Sequence, residues 1–388
     1  MRSRFAVLAV LLAACGGEAD TKEIAKADTL RAGNLSAAAD AGNAGHDSGR
    51  GDVADANQKR REGGSEADAH GAGAHGGAAV HPSRRGSGAI RNDSGPRTDV
   101  PPNELGRFPV VEYHLIGDKE GRWTRTPENF RKDLELLYSR GYRPVSLRDL
   151  AARTIDLPAG TSPVVFTFDD ASPGQFSYIE ENGELRIDPN SAVGIWLDFA
   201  AEHDGWENKA VFCMLSGAEA GRAFFGNKGI EGQKTEWRHR KVKFLAEQGF
   251  ELCNHTLWHA TLSKYEDEAF VQEQIARLQL AVDSAVPGYR MRSMALPLGE
   301  WPKNRELART GAWTDPATGI TTTYEHDIVL LVAGGPARSP HDPEFDGMHV
   351  RRVQVFGDEL VKTLDRLDRD GNRYVSDGDP DVIARPAN

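Results

Sequence analysis

From Gly16 to Leu105 the chain has no Phe, Trp or Tyr. This stretch is rich in Ala, Gly, Asp and Ser, with charges of both signs. It has too little apolar surface to offset the entropy of ordering a chain, so it reads as a disordered tether over 16–105. All seven Trp and all eight Tyr come after it, as does every Phe except Phe5. A folded domain is therefore confined to residues 106–388. His46, His70, His75 and His81 are scattered through the tether without the fixed geometry a metal site needs. Pro101-Pro102 closes it.

The N-terminus reads as an address. Arg2 and Arg4 precede an apolar run, Phe5 to Leu12. That run is shorter than the ~20 residues a spanning helix needs, and it fits a secretory signal over 1–15. Leu12-Ala13-Ala14-Cys15 resembles the bacterial lipobox, which implies that Cys15 is lipidated and becomes the mature N-terminus. A plain signal peptide that contains a Cys is the alternative. By the same resemblance, Gly16 lacks the Asp that favours inner-membrane retention, which points to the outer membrane. The formal net charge of −11 argues against nucleic acid as a partner. Export permits a disulfide between Cys213 and Cys253, and buried free thiols are the other reading.

After Gly106 the pattern alternates between strand-like and helix-like segments. Residues 108–114, 163–168, 210–215, 250–253, 294–296 and 328–332 read as strands. Thr126-Pro127 opens a helix that buries Phe130, Leu134 and Leu137 and stops at Gly141. Residues 238–248 and 270–282 read as further helices. Ser172 to His203 reads as a long loop region. This alternation suggests an α/β barrel or a doubly wound sheet. A barrel demands chemistry at strand C-terminal ends. Strand 108–112 runs into Tyr113-His114, and strand 163–168 into Asp169-Asp170. Strand 250–253 runs into Asn254-His255-Thr256-Leu257-Trp258-His259, and strand 294–296 into Pro297-Leu298-Gly299.

His255 and His259 are four apart, which on a helical turn would place both imidazoles on one face. Two His and a carboxylate form a common catalytic zinc set. Adjacent carboxylates beside a dication can divide the work, one ligating and one free as a base.

Thr167-Phe168-Asp169-Asp170, the His255–His259 motif and Leu296-Pro297-Leu298-Gly299 resemble, in order and spacing, the first three motifs of the polysaccharide deacetylases (carbohydrate esterase family 4, NodB-like). The resemblance implies a distorted (β/α)7 barrel and metal-dependent removal of acetyl groups from an acetylated envelope or extracellular polysaccharide, with the N-acetylglucosamine type as the leading substrate. It implies Asp170, His255 and His259 as ligands of one divalent metal, by default zinc, with cobalt or nickel accepted. Asp169 is then the general base, Thr256 a support for the His-bearing loop beside the substrate, and the Leu298 N–H an oxyanion donor. Pro297, Trp258 and Trp301 fall where they could line the substrate, although core packing is the commoner role for Trp258.

Two departures follow. The Arg of the family's third motif would fall at Ala295 and is missing; Arg290 and Arg292 lie near enough to be considered. The late Leu-x-His that supplies the general acid is also missing. Tyr113-His114 resembles the arrangement in a circularly permuted branch, the extracellular poly-N-acetylglucosamine deacetylases, which implies His114 as the acid; a core His is the alternative. These departures motivate a second expectation, a non-catalytic glycan-binding lipoprotein on the same scaffold. A third keeps the metal site but acts on an amide outside carbohydrates. Asp368 to Tyr374 has its Gly at the wrong position for an EF-hand and reads as a polar turn.

Overall fold

A computed structural model describes residues 100–218, 222–226 and 229–386. The expected signal peptide, the lipidation at Cys15 and the tether up to residue 99 lie outside the described residues. The tether's last residues belong to the fold: Asn103 pairs with Val375, and buried Glu104 accepts hydrogen bonds from Ser376 Oγ at 3.2 Å and Ala384 N at 3.0 Å. Among the described residues no helix is long and apolar enough to cross a membrane.

Eight parallel strands carry the domain. They are β1 (Val110–Tyr113), β2 (Tyr142–Pro144), β3 (Ser162–Phe168), β4 (Val211–Met214), β5 (Glu251–Asn254), β6 (Ser293–Ala295), β7 (Ile328–Gly334) and β8 (Val350–Gln354). Seven of them close a ring in the order β1-β8-β7-β6-β5-β4-β3, because β1 pairs with both β8 and β3; β2 extends the sheet from β3. The expected distorted (β/α)7 barrel is thus present. The main helices are α1 (Pro127–Ser139), α2 (Leu147–Ala152), α3 (Ala192–Glu202), α4 (Arg238–Glu247), α5 (Glu268–Ala285) and α6 (Glu359–Arg369).

Alternation along each strand separates two layers. Val110, Val165, Val211, Cys213, Cys253, Ala295 and Leu330 share one cluster, the barrel interior. Val111, Phe166, Phe168 and Phe212 face the other way, onto α1 through Phe130, Leu134 and Leu137. Helix α1 starts as its sequence dictates, with Thr126 Oγ1 accepting from Asn129 N and Pro127 in the first turn. Cys213 and Cys253 lie directly opposite in the β4–β5 register, 4.2 Å apart at Cα, and are joined as a disulfide.

The segment read as a loop, 172–203, is mostly ordered structure. It holds an antiparallel hairpin, Tyr178–Glu181 with Glu184–Ile187, and then α3 capped by Ser191. The sequence signal was Asn182-Gly183, both with positive φ, as a two-residue hairpin turn requires. The turn before Tyr374 is polar, as expected, with Arg373 paired to Asp368 at 3.2 Å.

Candidate active site

The candidate residues meet at the C-terminal rim of the barrel, because each follows the last residue of a parallel strand. His114 follows β1, Asp169 and Asp170 follow β3, and His255 follows β5. The backbone there is unusual. Of ten non-Gly residues with positive φ among the described residues, five are Asp170, Ala171, Thr256, His259 and Leu298. L-residues avoid this region, and such strain gathers where a fold over-determines a site.

Asp170 Oδ1 lies 3.5 Å from both His255 Nε2 and His259 Nε2. His255 Nδ1 donates to the Ala295 carbonyl at 2.8 Å. A carbonyl can only accept, so this bond fixes the tautomer and turns the Nε2 lone pair toward Asp170. His255 Nε2 and Asp170 Oδ1 are both buried without a hydrogen-bond partner. Orphaned buried acceptors cost free energy, and three converging acceptors from one carboxylate and two imidazoles fit a divalent cation. Burial opposes ionisation of Asp170, but His255, His259 and Arg222, 3.4 Å away, outweigh it and hold the carboxyl far below its ordinary value. Burial and the neighbouring His255 push His259 down to about 4, leaving it neutral as a ligand must be.

The two His do not share a helical turn, as their spacing suggested. They sit on a loop whose backbone turns at Thr256 and His259, with φ of 68° and 62°. Thr256 is fully buried; it shapes this loop by accepting from Ala260 N at 3.2 Å rather than facing substrate. Trp258 packs on Gly217, where an added Cβ would come within 2.4 Å of its ring, and on Phe270. It therefore serves packing. Pro297 is buried; Leu298 is 57% exposed at the rim. Trp301 lies against His349 at 39°, with Arg305 over its ring, and packs against a third cluster that includes Leu262, Val271, Ile275 and Leu307.

Sequence reasoning missed Arg352, the buried cation of the site. Its guanidinium is fully buried inside the barrel and takes both oxygens of Asp169 at 2.8 Å. It also reaches Thr167 Oγ1 at 3.1 Å, the Leu331 carbonyl at 2.7 Å and Glu112 Oε1 at 3.1 Å. Arg290 and Arg292, considered for this place, are on the surface, paired with Asp283 and with Asp327 and Glu325. Burial works against the Asp169 charge, but Arg352, with His255 and His114, overcomes it and keeps the carboxyl below its usual value.

His114 Nε2 lies 3.6 Å from Glu112 Oε1, and with Asp169 these three offer ligand atoms within 4.8 Å of one another. The cation in that second cluster is Arg352 itself, so it needs no metal. Burial pushes Glu112 up to about 8 despite Arg352, which leaves one ionised carboxylate, Asp169, to balance one guanidinium. Burial lowers His114, with Asp169 and Asp170 acting in the opposite direction. Buried Gln175 donates to the carbonyls of both His114 and Asp169 and so ties the two strand ends together.

Among curated proteins none matches the chain significantly. Solved structures with similar folds include the Streptococcus pyogenes deacetylase PplD in complex with acetate, at 16% identity and a TM-score of 0.45, covering 66% of this chain and 97% of that one. IcaB from Ammonifex degensii is similar at 18% identity and 0.44, covering 68% and 97%. BC0361, a polysaccharide deacetylase from Bacillus cereus, is similar at 15% and 0.44, covering 66% and 69%. The family model for polysaccharide deacetylase matches residues 157–312, which span β3 to β6 with the Asp169-Asp170, His255–His259 and Pro297-Leu298 motifs. Over that segment the chain is similar to the polysaccharide deacetylase family.

Proposed function

We propose that this chain is a metal-dependent hydrolase that removes acetyl groups from an acetylated envelope polysaccharide, with an N-acetylglucosamine polymer as the preferred substrate. The observation that carries this reading is the pairing of two arrangements at one rim. Asp170 and His255 present buried, unpartnered acceptors to a point that half-buried His259 also faces, and Asp169 beside them is held ionised by Arg352.

Asp170, His255 and His259 would hold one divalent metal, zinc by default, with cobalt or nickel as alternatives. Bound there, the metal would polarise the acetyl carbonyl and lower the pKa of water. Asp169 takes the proton from the attacking water; its lowered pKa keeps it in the basic form at neutral pH. His114 gives a proton to the departing sugar amine, so the C–N bond breaks to leave acetate and an amino sugar. The Leu298 peptide, at a rim residue with a left-handed φ of 58°, would offer its N–H to the oxygen that gains charge.

The glycan-binding alternative rests on the absence of the family's late His and of the Arg of its third motif. Arg352 fills that place from another strand, which supports hydrolysis. We further propose that residues 1–15 address the chain to the envelope, most readily the outer membrane, with Cys15 lipidated and residues 16–99 as its tether. The test is metal analysis and acetate release on the purified full chain, beside His255→Ala and Asp169→Asn. Near-stoichiometric metal, lost in His255→Ala, and acetate release, lost in Asp169→Asn, are expected. Bound glycan without metal or turnover would put the non-catalytic reading first.

A further inference from the structure

One exposed aromatic stands beside this site and takes no part in the chemistry above. Trp123 is 41% exposed, whereas the other six Trp are buried or half-buried. Its ring lies 4.7 Å from that of His114, centroid to centroid, at 59°. The loop that carries it is held from both sides. The Trp123 carbonyl accepts from Leu115 N at 2.9 Å, beside His114. Glu120 Oε1 accepts from Thr126 N at 2.7 Å and Asn129 Nδ2 at 2.9 Å, which ties the loop to the first turn of α1. A rigid, solvent-facing apolar plate is thus built onto the rim next to the proposed acid.

The chemistry of the reaction says what lies against that plate. In deacetylation the sugar is the leaving group, and His114 protonates its nitrogen. The acetyl carbon is drawn to Asp170, His255 and His259, so the pyranose ring extends on the His114 side. The C–H face of a pyranose is apolar and flat enough to cover an indole, and aromatic walls with a few polar groups are how ligand sites fix orientation. Arg122 lies over the Trp123 ring at 5.1 Å. An exposed cation–π contact is weak, so a sugar can take that face and leave the Arg122 N–H groups for its hydroxyls.

We infer that Trp123 is a stacking platform for the pyranose that carries the reacting amide or for its glycosidic neighbour, and that it selects a glycan over a small acetylated compound. This rests on the deacetylase reading above.

The experiment uses the full chain as wild type, Trp123→Ala and Trp123→Phe, with β-1,4 and β-1,6 N-acetylglucosamine pentamers. Calorimetry reads binding. Steady-state kinetics compare the pentamers with an aryl acetate. Trp123→Ala should weaken pentamer binding at least fivefold, and Trp123→Phe should restore it to within about twofold. The pentamer KM should rise by a similar factor, and by more than twice the rise for aryl acetate. Unchanged pentamer binding in Trp123→Ala overturns the inference. So does an equal loss on both substrates with a displaced pH–rate profile, which would make Trp123 a positioning residue for His114. Trp123-dependent binding with no acetate released would leave this inference standing and remove the deacetylase reading.

Discussion

Arg352 grips both carboxylate oxygens of Asp169 at 2.8 Å, with the guanidinium closed off from solvent inside the barrel. The two residues are 183 apart in sequence, on β8 and at the end of β3, and one ring strand, β1, lies between those strands. A buried ion pair is a poor source of net stability, because desolvating both charges offsets their attraction. Its use here is positional. The fork fixes the orientation of the Asp169 carboxylate and favours its ionised form, which suits the base role proposed for it.

Removing the guanidinium should therefore harm activity and stability together. Arg352→Met leaves the Asp169 carboxylate buried without its cation, at a cost of about 3–5 kcal/mol. The Asp169 pKa should rise, and because a general base must be ionised, the acid limb of the kcat/KM profile should move to higher pH. Arg352→Lys restores the charge without the fork and should recover part of the stability and less of the rate. A pH profile in Arg352→Lys or Arg352→Met with an unmoved acid limb would count against Arg352 as the group that tunes Asp169.

His114 is assigned to protonating an amine, and this separates two substrate types. An amide nitrogen leaves poorly without a proton, whereas an aryl oxide leaves readily. His114→Ala should lower kcat on an N-acetylglucosamine oligomer by about 10²-fold or more, and on an aryl acetate by much less. Equal losses on the two substrates would instead make His114 a structural neighbour of Asp169.

The ligand set should bind metal without help from the substrate. Dialysis against a chelator should abolish acetate release, and zinc, cobalt or nickel should restore it. With cobalt, the visible absorption of the loaded protein should appear in the wild type and vanish in His255→Ala, a readout independent of turnover. Full activity after complete removal of metal would reject the site.

How much of this was legible in the sequence depended on whether a local rule decided the matter. Strand ends announced themselves, because a run such as Pro163 to Phe168 stops at two carboxylates. Arg352 gave no such sign. It lies in Val350-Arg351-Arg352-Val353-Gln354-Val355, where apolar residues occur at both parities, so period-2 reasoning does not say which Arg faces inward. The structure exposes Arg351 and buries Arg352. The His255–His259 spacing misled in another way. A separation of four matches a helical turn, yet here two left-handed residues bring the imidazoles together in a loop, and nothing in Thr or His as residue types foretells that backbone. The hairpin at 178–187 carried its turn signal openly in Asn182-Gly183 and was hidden only by its charged, half-exposed strands.

The Cys213–Cys253 disulfide closes a loop of 40 residues between adjacent barrel strands. Chain-entropy arguments put its contribution at about 4 kcal/mol. Cys213→Ala/Cys253→Ala should lower the unfolding free energy by up to that amount, and the wild type should lose stability similarly under reductant. Intact mass before and after alkylation checks the bond itself. Two alkylated thiols in the unreduced, denatured protein would show that it does not form.

Glu251 gives the protein a pH dependence away from the chemistry. Its carboxylate is buried at the start of β5, accepting from Leu147 N at 2.9 Å and Arg148 N at 3.3 Å at the start of α2, and from Ser293 Oγ at 3.1 Å. Burial raises its pKa from 4.5 to about 7, with Arg148 and these donors opposing. The folded state then keeps a proton that the unfolded state has lost, over the window from 4.5 to about 7. Stability through this group is fullest below pH 4.5 and falls as pH rises toward 7. Glu251→Gln mimics the protonated acid and removes that fall. Urea unfolding at acidic and at neutral pH should show the variant gaining on the wild type by a few kcal/mol at most as pH rises. A difference that stays constant, or that shrinks toward neutral pH, would mean that Glu251 folds as a charged group, held by the helix N-terminus and Arg148 rather than neutralised by burial.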